Sequence, residues 1–268
     1  MEYDIWTNTL ALQSICNLLS ITVNEFSHIF IYECGVDSEA FWKYYFEKLD
    51  KVKLDDIKIH VRHVTGTLDE CSEIKQAGLR NLQWVLSNNT ILASILKKFG
   101  IIFDVENRDV YYKGNRLPIS KNLREPLWHR IYCDYCIDGF LYCDDVKEYG
   151  YDVYKRPEFF MNLLECFPNI EKLDEYWKSK SKTFLIEFYA TVNQINKCTF
   201  DTYFDEKILN PIDETEEIDV NQKIKRWLLI KAIDRLYNKL DETYAYIEDD
   251  GYIPANQILR YTEIESIK

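Results

Sequence analysis

Apolar residues recur along much of the chain at three- and four-residue intervals, the mark of helices with one buried face. Leu10, Ile15, Leu18 and Leu19 follow that spacing, so residues 7–20 read as a helix. Asp37 is placed to cap a second helix, whose stripe is Phe41, Tyr45, Phe46 and Leu49. The period then falls to two. Ile57, Ile59 and Val61 alternate with Lys58, His60 and Arg62, which predicts a strand over 57–65 with His63 in phase with its inward face. Thr67 opens the run T-L-D-E, a capping box with Glu70 at the third helical position. The helix it starts ends at Gly78, a natural residue for a left-handed C-terminal cap.

Helices are predicted over about 81–86 and 90–99, stopping at Gly100, and residues 103–114 read as a hairpin turning at 106–108. Arg156-Pro157-Glu158 opens a helix that buries Phe160, Leu163 and Leu164. Residues 183–192 are β-branched and aromatic enough for a central strand. The strongest helical pattern covers 220–240, with Leu229, Ile233, Leu236 and Leu240 on its stripe. A short strand over 243–247 and a last segment ending near Ile267 follow. Helices dominate and the strands show no regular βαβ alternation, so the class is α+β. The acidic run 211–219 reads as a solvated loop rather than a linker, leaving one domain over 1–268. It divides into an N-terminal helical flank, 1–55, and a core over 56–268 with a helical insert at about 80–145.

Composition narrows the classes. Gly (8) and Pro (6) are scarce in 268 residues, where average usage gives roughly 19 and 13; this favours long helices over an all-β sandwich. A formal charge of −12 argues against a broad duplex-DNA face, which needs clustered Lys and Arg. No apolar run reaches the ~20 residues of a membrane span. The acidic start Met1-Glu2-Tyr3-Asp4 is unlike a signal peptide, so eight cysteines imply free thiols in a reducing cytoplasm.

The phosphate-binding glycine motifs, GxSxG and HExxH are all absent from the sequence. His129, Cys133, Cys136 and Cys143 are the one metal candidate, and their irregular second pair favours core packing, with no metal expected.

The most informative stretch is 60–82, HVRHVTGTLDECSEIKQAGLRNL: strand, His-x-Thr, helix, then Gly-Leu. Together with YGYDVYKRPEFF (149–160) and DETYAYIEDDGYIPANQI (241–258), in that order, it resembles the ADP-ribosyltransferase superfamily. The resemblance is to its bacterial toxin-like, histidine–tyrosine–glutamate branch, and lies in three short blocks. It implies a mixed or antiparallel sheet core with many flanking helices, in which the 57–65 and 243–247 strands share one sheet. It implies NAD as substrate, gripped at the nicotinamide-side ribose by His63 with Thr65 beside it. Tyr151 or Tyr154 would stack on nicotinamide, and Arg156 would pair with the diphosphate. Glu242, with Glu248 as fallback, would stabilise the positive charge developing on C1′. The implied acceptor is a nucleic acid or a protein, and the implied role a cytoplasmic toxin or phage-defence effector with an antitoxin or regulatory partner and no membrane. The competing reading is a non-catalytic acidic adaptor that uses its 20 tyrosines as contact anchors.

Overall fold

A computed structural model describes residues 1–147, 156–167, 170–200 and 219–264. β1 (Glu2–Tyr3) leads into α1 (Asn8–Leu19), capped by the Thr7 hydroxyl accepting from the Leu10 amide at 3.2 Å. α2 (Val23–His28) runs on into a π-helical turn over Ile29–Glu33. α3 (Ser38–Tyr44) carries the expected cap, Asp37 Oδ1 accepting from the Ala40 amide at 2.6 Å. The stripe through Leu49 is not one helix. The backbone breaks at Tyr45, whose hydroxyl donates to Glu25 Oε1 at 3.2 Å, and resumes as α4 (Phe46–Asp50).

β2 (Lys58–Thr67) runs two residues past the predicted end and takes Thr67 into the strand. The T-L-D-E capping box therefore does not form. Glu70 and Cys71 adopt left-handed φ values of 53° and 62°, and Asp69 Oδ2 accepts from the Glu73 amide at 2.6 Å to cap α5 (Ser72–Ala77). α6 (Leu82–Ser87) and α7 (Ile91–Lys98) begin at Asn81 and Thr90 caps. β3 (Ile101–Asp104) and β4 (Asp109–Tyr112) make the expected hairpin, and β5 (Asn115–Pro118) extends it to three antiparallel strands. With α8 (Glu125–Tyr132) and β6 (Asp138–Tyr142), residues 80–145 hold strands as well as helices.

The remaining elements are α9 (Phe159–Cys166), α10 (Glu171–Lys180), β7 (Lys182–Thr191), α11 (Val220–Leu236), β8 (Thr243–Tyr246) and β9 (Ile258–Ile264). The larger sheet is ordered β8–β6–β2–β7–β9, with β1 parallel to β2 and β9 antiparallel to β7. The class is mixed α+β, and the strands over 57–65 and 243–247 share that sheet with β6 between them.

Contacts group the chain into two units. The first comprises Met1–Val61, Phe140–Asp144 and Tyr189–Tyr246, and α1 and α11 pack together in it. Phe26 and Phe30 stack and Phe41 meets both edge-on, all with ring centroids 5.4 Å apart, and the Tyr3 hydroxyl donates to the Leu228 carbonyl at 2.9 Å. α11 buries more than its apolar stripe. Lys225 is buried because its ammonium donates to the Asp50 carbonyl at 2.8 Å, which satisfies a charge that burial would otherwise penalise.

The second unit comprises Arg62–Gly139, Asp145–Phe188 and Ile247–Lys268, and its core gathers Leu96, Leu127, Ile131, Phe160 and Leu163. Arg62, expected on the polar face of its strand, is buried, with Glu187 Oε1 3.3 Å away. The carboxylate of Glu187 compensates the charge that burial would otherwise penalise. Among the described residues no helix is long and apolar enough to cross a membrane.

Asp234 lies in the last turn of α11. Burial holds its carboxyl above the ordinary carboxylate range, against the pull of Lys231 and Lys239. The negative end of the helix dipole opposes its charge as well. A raised folded pKa means that the folded state binds the proton more tightly, so ionising Asp234 costs stability as pH rises through that value. Asp234→Asn should therefore raise Tm at pH 7, and the gain should shrink towards pH 4. Thermal melts across that range check it.

Candidate functional site

His63 and Thr65 stand two residues apart on β2 and so share one face of the strand. His63 is half-buried, and its Nδ1 lies 2.8 Å from the Asp138 carbonyl oxygen. A carbonyl can only accept, so Nδ1 carries the hydrogen, and Nε2 remains for another partner. Asp138 Oδ1 is 3.7 Å from the same nitrogen.

After α5 the chain turns at Gly78, whose φ of 77° is positive but whose ψ of −176° is extended. This differs from the expected left-handed cap, because the chain must leave the helix extended to pair with Ile253. Leu79 and Ile253 exchange two backbone hydrogen bonds of 2.9 and 3.1 Å. A Cβ at Gly78 would stand 2.1 Å from the Ile253 carbonyl oxygen, so only glycine fits. Asn81 adds a third tie: its Nδ2 donates to the Asp249 carbonyl at 2.8 Å while its Oδ1 caps α6 through the Trp84 amide at 2.9 Å.

Residues 135–138 bind these pieces together through their carbonyls. The Tyr135 oxygen accepts from the Leu82 amide at 3.1 Å, and the Ile137 oxygen from the Ile247 amide at 2.8 Å. The Asp138 oxygen accepts from His63, as above. Three segments remote in sequence thus meet one short stretch of backbone within the second unit.

On the same turns, Arg80 donates from Nε to the Ala77 carbonyl at 3.0 Å. Its guanidinium carbon lies 4.0 Å from the ring centroid of Tyr252 and 5.0 Å from that of Trp84. Glu248 follows Ile247 directly, is exposed, and its carbonyl accepts from the Gly251 amide at 2.7 Å. Sequence reasoning passed over Arg80, Trp84 and Asp138. The signal for Arg80 and Trp84 was Asn81 after Gly-Leu, a residue type that caps helices and so fixes their neighbours.

The other expected residues fall as follows. Glu242 precedes β8 in the first unit; its Oε2 accepts from the Tyr244 hydroxyl at 2.8 Å and its Oε1 from the Cys143 thiol at 3.4 Å. Glu248 belongs to the second unit with His63. Arg156 is buried and ion-paired with Asp174 Oδ1 at 2.5 Å. Tyr151 and Tyr154 lie outside the described residues. His129 and Cys133 are exposed, Cys136 is half-buried, and these three do not gather their ligand atoms into a cluster. All eight cysteines are free thiols. Burial pushes the Cys71 thiol up to about 11, which keeps it protonated at neutral pH and a poor nucleophile.

The chain matches no family model, no curated protein and no solved structure.

Gly78→Ala should cost about 2–4 kcal/mol, from positive-φ strain plus displacement of the Ile253 carbonyl. Gly114 is the matched control, with φ 83° and open space around it. Its alanine variant should cost only about 1 kcal/mol. Denaturant melts of both variants measure the difference; equal losses would mean that the 78–253 approach is not tight.

Proposed function

We propose that this protein transfers the ADP-ribosyl group of NAD to a macromolecular acceptor, a nucleic acid or a protein. The observation that carries the reading is the anchoring of His63, the 78–82 turn and the 247–253 turn on residues 135–138. Those three are the landmarks of the first and last blocks of the family resemblance, and they lie in one unit. In the reaction the bond between C1′ and the nicotinamide nitrogen breaks and its electrons leave with nicotinamide. A nucleophilic atom of the acceptor then bonds to C1′ and releases its proton to solvent.

His63 Nε2 is the group assigned to a hydroxyl of the nicotinamide-side ribose, oriented by the Nδ1 bond to Asp138. Glu248 is assigned the carboxylate that faces the cationic C1′, because it shares the anchored turn. Glu242 is the alternative carboxylate, although both its oxygens already accept hydrogen bonds. A fixed negative charge beside a developing oxocarbenium stabilises the transition state more than the ground state. The role that fits this chemistry is a toxin or phage-defence effector, restrained in the cell by an antitoxin or regulatory protein.

One observation favours the adaptor reading instead: Ile31, Tyr32, Val36, Tyr44 and Phe46 are all exposed large hydrophobic residues of the N-terminal flank. Exposed aromatic groups of that kind serve as interface anchors.

Incubating the protein with labelled NAD and cell lysate, then separating nucleic acid from protein, tests the two readings. Transfer of label to one fraction supports the enzyme; no NAD consumption with retention of a lysate protein supports the adaptor. If transfer occurs, Glu248→Gln should lower turnover by about 10²–10³ with NAD affinity nearly unchanged. Loss in Glu242→Gln alone would move the carboxylate six residues and leave the mechanism standing.

A further inference from the structure

Three contacts orient Arg80. Its Nε is tied to the Ala77 carbonyl at 3.0 Å, and the guanidinium lies against the rings of Tyr252, at 4.0 Å, and Trp84, at 5.0 Å. Stacking on aromatic faces fixes the plane of the group and spares it the entropy of being ordered by a ligand. Its two terminal nitrogens donate to no group among the described residues. The residue is half-buried and Tyr252 is 44 % exposed, so the pair reaches solvent.

Backbone bonds already described place Arg80 and Tyr252. Arg80 sits between the Leu79 pairing with Ile253 and the Leu82 amide that Tyr135 receives, while Tyr252 is the residue before Ile253. Four N–H donors in one plane match the oxygens of a phosphate, and a guanidinium grips two of them side by side. Arg156, to which the family resemblance gives the diphosphate, is buried with its charge taken up by Asp174.

We propose that Arg80 is the phosphate-binding fork of the site and takes the diphosphate of a dinucleotide; the identity of that dinucleotide as NAD rests on the transfer reading above. Asp249 and Asp250, on the turn that Asn81 ties down, repel anions. Binding should therefore depend on Arg80 itself and not on a diffuse positive field.

Calorimetric titration of the full chain with inorganic pyrophosphate, and separately with NAD, tests the fork. The wild type should bind both. Arg80→Gln should weaken both by about 10- to 100-fold, the scale of a charge-assisted pair. Arg80→Lys keeps the charge without the planar grip and should fall between them, and circular dichroism melts establish that each variant is folded. Should Gln fail to fold, Lys carries the test, with weakened binding supporting the fork and unchanged binding overturning it. Pyrophosphate bound in an Arg80-dependent way, with NAD neither bound nor consumed, would keep the fork and sink the transfer reading. NAD turned over by Arg80→Gln with unchanged KM would do the reverse. Pyrophosphate bound equally by wild type and variants, or not at all, overturns the fork.

Discussion

Three carbonyl oxygens within residues 135–138 accept from three different parts of the chain: Leu82, Ile247 and His63. Backbone polar groups away from water must be paired, and here the pairing does more than satisfy a strand edge. Moving this stretch by the width of one hydrogen bond would release a side chain of β2, the start of α6 and the turn after β8 together. The geometry of the candidate site follows from that shared dependence. His63 owes its tautomer to the segment, Glu248 its place one residue beyond Ile247, and Arg80 its position two residues before Leu82.

The site is acidic like the chain around it, with Asp249 and Asp250 on the turn beside Arg80. The whole protein carries a formal charge of −12, so an anionic nucleotide gains little from the general field and depends on local cations. Arg62 and Arg156 are buried beside carboxylates, Glu187 and Asp174, and contribute to packing within the second unit. Arg80 differs in being held by a carbonyl and two aromatic rings, which orient its charge without neutralising it. An orienting contact that leaves the charge intact suits a binding group, whereas a buried ion pair suits a core.

Elements defined by their own periodicity were legible in the sequence: α1, β2, the β3–β4 hairpin, β7 and α11 all lie close to where the alternation and stripes put them. Local chemistry was overruled where tertiary pairing competed with it. Thr67 has the residue type of a helix cap, yet the β2 pairing takes it into the strand and Asp69 caps instead. Arg62 stands on the polar phase of β2, yet it is buried with its charge beside Glu187. β9, with an exposed and weakly apolar pattern, had no signal of its own and is defined by pairing with β7. The 135–138 stretch acts through carbonyls, which every residue possesses, so its side chains could not announce it. The Gly-Leu and Ile-Pro landmarks were visible as types, but their hydrogen bonding to each other was not.

Native-state hydrogen exchange, read residue by residue, tests the shared anchoring most directly. If residues 135–138 hold the site as one piece, the amides of Leu79, Leu82, Ile247 and Ile253 belong to one cooperative unit. They should then open with a common free energy and a common denaturant slope. An Ile247 or Ile253 amide that exchanges at the rate of an open loop, while Leu82 stays protected, would contradict the account.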